Sequence, residues 1–152
     1  MSWRYHNGKK PVEFTDNMIP EGAYGFIYLM TVEIDGDVKS YIGKKNFYSN
    51  RKKKFGKKAL AAMTDMRKKK YEIVKKLSYQ NYYSSNEVIK QAHKDGVNVD
   101  RHILKICYSK AELTYEEVKA QFKYEVLEDD KYLNSNILGK FYKRCKDDVH
   151  KK

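Results

Sequence analysis

The segment from Gly25 to Gly43 constrains this chain more than any other stretch. Gly25-Phe26-Ile27-Tyr28-Leu29-Met30-Thr31-Val32-Glu33 is rich in aromatic and β-branched residues, as a strand should be. Ile34-Asp35-Gly36-Asp37 holds an Asp-Gly pair, a strong short-range signal for a two-residue hairpin turn, in which both central residues need φ > 0. Val38-Lys39-Ser40-Tyr41-Ile42-Gly43 reads as the returning strand. Residues 25–43 are expected to form one antiparallel hairpin that carries Tyr28 and Tyr41 on paired strands.

Around this hairpin the chain reads as one domain of 152 residues, with no internal repeat and no long linker. Residues 1–20 read as an irregular arm punctuated by Gly8, Pro11 and Pro20. Apolar residues at helical spacing over 59–78 (Leu60, Met63, Met66, Ile73, Val74, Leu77) predict a helix there. Ser84 or Ser85 can cap a second helix running to about Lys94, with Val88, Ile89 and Ala92 on its apolar face and Asp95-Gly96 as its stop. Val99–Tyr108 reads as a third strand, with Val99, Arg101, Ile103, Lys105 and Cys107 on a partly exposed face. Thr114 can cap a helix over about 115–128, with Glu117 at the capping-box position and Val118, Phe122 and Val126 as its apolar stripe. A basic tail from Lys140 to Lys152 follows, with a short helix possible. The expected class is α+β: a small antiparallel three-stranded sheet flanked by helices. The expected divisions are an arm at 1–20, a domain at 21–138 with a basic insertion at about 52–83, and a tail at 139–152.

Charge narrows the partners. Lys plus Arg number 32 against 20 Asp plus Glu, a net charge of +12, which favours polyanions. No apolar run approaches the roughly 20 residues of a spanning helix, and the first residues lack an apolar signal core. DNA is the expected partner, no membrane is expected, and a cytoplasmic location is the default. Cys107 and Cys145 form no CxxC pair, so a zinc site is not expected; Cys107 reads as a core residue on a strand. His6, His93, His102 and His150 are scattered and read as surface or capping groups. Lys45, Lys52, Lys53, Lys54, Lys57 and Lys58 are candidate phosphate contacts. Phe47, Tyr48 and Phe55 lie among them, and aromatic rings beside cations can stack on exposed bases.

Gly25-Phe26-Ile27-Tyr28 and Tyr41-Ile42-Gly43-Lys44 together resemble the two signatures that name the GIY-YIG nuclease superfamily. Lys44 stands three positions after the second tyrosine, where members carry a lysine or small residue. Arg51 stands ten after it, where they carry an arginine. Glu117 matches their helical glutamate, and Asn134 or Asn136 their later asparagine. The resemblance spans roughly residues 22–137. The lysines after Tyr41-Ile42-Gly43-Lys44-Lys45 resemble the phage Seg-like branch in particular. So do Tyr82-Tyr83-Ser84-Ser85, although Asn81 takes the place of that pattern's tyrosine, and Tyr115-Glu116-Glu117-Val118-Lys119-Ala120-Gln121-Phe122. The last match favours Glu117 over Glu116.

The resemblance implies a phage-encoded DNA endonuclease that hydrolyses phosphodiester bonds with Mg²⁺ or Mn²⁺. Such chemistry needs an activated water, charge neutralisation on the phosphoryl group and help for the leaving oxygen. Either Tyr28 or Tyr41 could take the water proton if a nearby cation, Lys44 or a metal, lowered its pKa. Arg51 would hold the phosphate with a forked contact, unless a register slip gives that place to Lys52, Lys53 or Lys54. Glu117 would be the metal ligand, and Asn134 or Asn136 would position rather than ionise. Two departures stand out: the first signature has its glycine one place early, and Phe55 stands where many relatives carry a Tyr or His. The alternative is a non-catalytic DNA-binding module on the same fold. One active site per chain nicks one strand per encounter, so double-strand cuts would imply a dimer.

Overall fold

The computed structural model describes residues 2–6, 10–54, 56–62 and 71–143. Phe55, Met63, Met66, Cys145, His150 and the tail beyond Lys143 lie outside the described residues. The predicted hairpin forms as β3 (Gly25–Ile34) and β4 (Asp37–Asn46), joined by Asp35 and Gly36 with φ of 51° and 83°. Ten residue pairs zip the two strands, with Tyr28 opposite Gly43 and Met30 opposite Tyr41.

The sheet is larger than the expected three antiparallel strands. It has five strands and is mixed, in the order β2 (Pro11–Glu13), β1 (Arg4–His6), β7 (Val99–Cys107), β3, β4. The arm supplies the difference: β1 lies parallel to β7 and antiparallel to β2. Its strands are three residues each and carry no alternation, and Pro11 opens an edge strand, where its missing N–H costs no ladder bond. The arm is held by Trp3 and Phe14, both buried in the core beside Phe26, Phe47 and Tyr79. The Trp3 indole N–H donates to the Tyr79 carbonyl at 2.8 Å. His6 and His102, on neighbouring strands, share a hydrogen bond of 2.8 Å between ring nitrogens.

Further expectations change. Ile73, Val74 and Leu77 lie on a strand, β6 (Tyr71–Leu77), which pairs along its length with β5 (Tyr48–Lys54). Only a short helix, α1 (Lys57–Ala62), precedes it among the described residues. β-branched Ile73 and Val74 suit a strand, and β5 offers them a ladder that an isolated basic helix would lack. Strand β7 carries a bulge: Ile27 faces Lys105 but Tyr28 faces Ile103, so Leu104 is surplus. The bulge inverts the parity of the strand. Val99 and Ile103 join one core layer, whereas Leu104 and Cys107 join the other, so the single face predicted from Val99 to Cys107 does not exist. Arg101, expected to be partly exposed, is buried between the rings of Trp3 and Tyr83, at 4.8 and 4.2 Å from their centroids.

Helix α2 (Glu87–Lys94) packs on the face of Tyr28, through Ile89 and Ala92; Val88 is exposed. Helix α3 (Lys110–Lys123) packs on the opposite face, with Leu113 and Val118 against Ile27, Ile42 and Cys107. It begins earlier than expected, because Ser109 rather than Thr114 is its cap: the Ser109 hydroxyl accepts from the Glu112 N–H at 3.0 Å. Glu112 in turn accepts from the Tyr108 N–H at 3.2 Å. Glu117 therefore sits in the middle of the helix, free of any capping duty. Phe122 is exposed, and Val126 is buried beyond the helix end. Short strands β8 (Asn136–Ile137) and β9 (Phe141–Tyr142) pair with each other, in place of the start of a C-terminal helix.

Candidate active site

β4 is an edge strand, and its outer edge organises the site. Residues 131–133 dock along it: the Ser40 N–H donates to the Lys131 carbonyl and the Leu133 N–H to the Ser40 carbonyl, each at 2.7 Å. At Ile42 a side chain continues the ladder. Asn134 accepts from the Ile42 N–H through Oδ1 at 3.1 Å and donates to the Ile42 carbonyl through Nδ2 at 2.8 Å. Gln121 of α3 donates to that same carbonyl at 3.1 Å. Asn134 and Gln121 are both buried, so these bonds satisfy polar groups that water does not reach. The backbone between Tyr41 and Gly43 is thereby clamped from outside the sheet.

Beside this clamp lies a cleft of about 590 Å³. Tyr41, Lys44, Glu117, Asn134 and Asn136 line it, together with Ser85 and Gln121. Tyr41 comes from one face of the sheet and Glu117 from a helix packed on the other, and they meet around the edge of β4. Lys44 reaches from β4 to α3: its ammonium donates to the Thr114 hydroxyl at 3.2 Å and stands 3.9 Å from Glu117. Glu116, the rejected neighbour, is engaged by Lys105 at 3.0 Å. Asn136 accepts from the Gly139 N–H at 2.9 Å, closing the turn after β8 at the cleft's rim.

Tyr28 does not line the cleft. It is buried behind Tyr41, with ring centroids 6.2 Å apart. Its hydroxyl meets Ser84 Oγ at 3.1 Å and the Tyr82 hydroxyl at 3.5 Å. The next residue, Ser85, stands by Tyr41 and favours its ionised form. One serine thus serves each tyrosine hydroxyl. Ser84 does so from a left-handed backbone, φ 72°, a conformation that costs a non-glycine residue energy and persists only where its surroundings enforce it. This is why neither serine caps α2. Asn86 caps it instead, accepting from the N–H groups of Val88 and Ile89 at 2.9 and 3.3 Å. The sequence displayed Ser84-Ser85 and Gln121 inside recognised patterns, yet the local reading gave the serines to a helix and Gln121 no role.

Arg51 lies on β5 opposite Val74, exposed and outside the cleft lining. Lys52, Lys53 and Lys54 follow it on the same strand, and Lys57 and Lys58 are exposed on α1. Lys45 is half-buried, with its ammonium 4.9 Å above the Tyr82 ring.

Electrostatics separates the roles. Burial, then the neighbouring Tyr82, pushes the Tyr28 phenol far above its ordinary pKa, so it stays protonated. Tyr41 is raised too, by burial first; Ser85 acts against this and Glu117 adds to it. Burial likewise raises the Glu117 carboxyl, with Lys44 opposing. A half-buried carboxylate facing open cleft space suits a hard divalent cation. Such an ion commonly takes one or two carboxylates and fills its other positions with water and substrate phosphate, so the absence of a group of three acidic, His or Cys ligands among the described residues is compatible with it.

The family model described as the GIY-YIG domain of putative endonuclease segE matches residues 3–137. The chain belongs to that GIY-YIG endonuclease family. No curated protein and no solved structure matches it. The match begins at the arm, in keeping with Trp3 being part of the core. No helix among the described residues is long and apolar enough to cross a membrane.

Proposed function

We propose that this protein is a divalent-metal-dependent DNA endonuclease that hydrolyses phosphodiester bonds in the cleft at the edge of β4. The observation that carries the reading is the meeting of Tyr41, Lys44 and Glu117 in one polar cleft of a strongly basic chain. Membership of a nuclease family supports the reaction class. The resemblance to the phage Seg-like branch supports a phage-encoded enzyme acting in the host cytoplasm.

Glu117 would hold Mg²⁺ or Mn²⁺, which when bound neutralises phosphoryl charge and lowers the pKa of its water. The remaining work belongs to the chain. Tyr41, which lines the cleft beside Ser85, is the tyrosine placed to meet the attacking water or a phosphoryl oxygen, while Tyr28 supports it from behind. Lys44 adds positive charge where negative charge develops on the phosphoryl group. Asn134 and Gln121 keep the Tyr41–Gly43 backbone in place. Arg51 and the lysines of β5 and α1 hold flanking phosphates.

Incubation of supercoiled plasmid with the protein in Mg²⁺ or Mn²⁺, with an EDTA control and a gel shift in EDTA, tests the proposal. Metal-dependent conversion to open circles is expected. DNA binding without cleavage on several substrates would favour a binding module instead. Direct conversion to linear plasmid would point to paired active sites, and so to a dimer.

A further inference from the structure

A second groove, of about 570 Å³, adjoins the cleft, and Lys44 lines both. Lys44, Lys45 and Lys75 supply its cations, and Tyr24, Tyr48 and Tyr82 its aromatic surface. No carboxylate lines it among the described residues. We propose that this groove is a subsite for an unpaired nucleotide of the DNA strand being cut, its phosphate on Lys45 and Lys75 and its base stacked on Tyr48.

Three observations support the assignment. The volume falls in the range of small-ligand sites, roughly 300–1,000 Å³, and so accommodates a nucleotide. The chemistry matches in both parts: Lys45 and Lys75, in a groove lined by no carboxylate among the described residues, attract a phosphate, and Tyr48, 37% exposed at the groove wall, offers a ring that any base can stack on. Lys45 reinforces this, since its ammonium rests on the Tyr82 ring rather than on a carboxylate.

The third observation is direction. On its other side the cleft is lined by Glu87, which also lines a neighbouring hollow with Glu33, Asp35 and Asp95. A polyanion leaving the cleft is repelled on that side and attracted past Lys44. The tyrosines sit inside a groove, so the stacked interior of a duplex does not reach them. A base at a gap, a mismatch or a branch does. The preferred substrate is therefore DNA with an unpaired nucleotide beside the cut. The identity of the strand rests on the endonuclease reading; the groove's affinity for a nucleotide does not.

The test uses the full chain in EDTA, where nothing is cut. Oligonucleotides carrying 5-iodouracil at successive positions of a single-nucleotide bulge or gap are irradiated, and the crosslinked residues mapped by mass spectrometry. Crosslinks to Tyr48 or Tyr82 from the unpaired position are expected. In parallel, fluorescence anisotropy measures binding of a labelled oligothymidylate and of a duplex of equal length. Tyr48→Leu should weaken the single strand roughly tenfold with its salt slope unchanged, the loss typical of one stacked base, and leave the duplex near wild type. Tyr48→Phe should bind like wild type. Lys45→Gln and Lys75→Gln should each lower the single-strand salt slope by about 0.7. Crosslinks confined to other regions, or unchanged single-strand affinity in Tyr48→Leu, would overturn the proposal. The crosslinking arm needs no substitution, so a misfolded variant does not shield it. Crosslinking at Tyr48 by a protein that never cuts plasmid would uphold the groove and reject the endonuclease.

Discussion

Gly43 lies directly opposite Tyr28, and a Cβ at position 43 would stand 2.5 Å from the tyrosine hydroxyl and 2.7 Å from Cζ. The glycine of the second signature is thus a steric requirement of the tyrosine in the first: the ring lies across the space where a side chain would start. Gly25 is required for a different reason: its Cβ would stand 2.6 Å from the Lys45 carbonyl oxygen of the paired strand. Gly43→Ala should destabilise the fold by about 1–3 kcal/mol, the usual cost of overpacking. Part of that loss should vanish when Tyr28 is Ala. A double-mutant cycle by chemical denaturation should give a coupling of about 0.5 kcal/mol or more. Additive effects would mean that the ring and the glycine do not constrain each other.

The two tyrosines should separate when their hydroxyls are removed. Tyr41 faces the cleft, so Tyr41→Phe should slow cleavage about 100-fold or more with little change in melting temperature, as for the loss of a proton-handling group. The Tyr28 hydroxyl is buried against Ser84 and Tyr82. Tyr28→Phe should cost about 1 kcal/mol of stability, the typical net worth of one hydrogen bond, and slow cleavage by less than about tenfold. Cleavage rates and thermal melts of both variants decide it; the reverse pattern would assign the chemistry to Tyr28.

The hairpin and its two tyrosines were legible in the sequence because Asp35-Gly36 fixes the turn and the side-chain period does the rest. The place of Glu117 on a late helix, beside Tyr41 and Lys44, was legible through the family resemblance, although the bounds of that helix were misplaced. Ser109-x-x-Glu112 and Thr114-x-x-Glu117 are both capping boxes on paper, and only packing on the sheet selects the first. The arm strands were not legible, since three-residue strands carry no period and are held by Trp3 and Phe14 filling a distant core. The Leu104 bulge leaves no compositional trace. Ser84 and Ser85 looked like caps because a local reading has no access to tyrosines more than 40 positions away.

Glu117 gives a pH test with a definite sign. Its carboxyl pKa is raised in the folded protein, mainly by burial, with Lys44 opposing. The folded state therefore holds the proton more tightly than the unfolded chain, and stability contributed by this group falls as pH rises through the ordinary carboxylate range towards the raised value. At neutral pH the charged Glu117 costs stability. Glu117→Gln should be at least as stable as wild type at pH 7 and should lose that advantage at acidic pH. Thermal melts of the two proteins across this range test it. A variant less stable than wild type at pH 7 would mean that Lys44 outweighs burial.

Arg51 stands on β5, away from the cleft lining. Arg51→Ala should weaken DNA binding, lower the salt slope on duplex DNA by about 0.9, and leave cleavage at saturating protein near wild type. A collapse of cleavage at saturation would show that the β5/β6 hairpin brings Arg51 to the scissile phosphate when DNA binds.

The most direct measurement compares wild type and Glu117→Gln for plasmid cleavage in Mg²⁺ or Mn²⁺ and for DNA affinity in EDTA. The amide keeps the size of the carboxylate but is a much poorer partner for a hard cation. Cleavage should fall about 100-fold or more, commensurate with several kcal/mol of lost charge stabilisation, while affinity stays equal or tightens slightly as one negative charge leaves a basic surface. Cleavage at the wild-type rate by Glu117→Gln would contradict the assignment of the cleft at the edge of β4 as the metal-dependent active site.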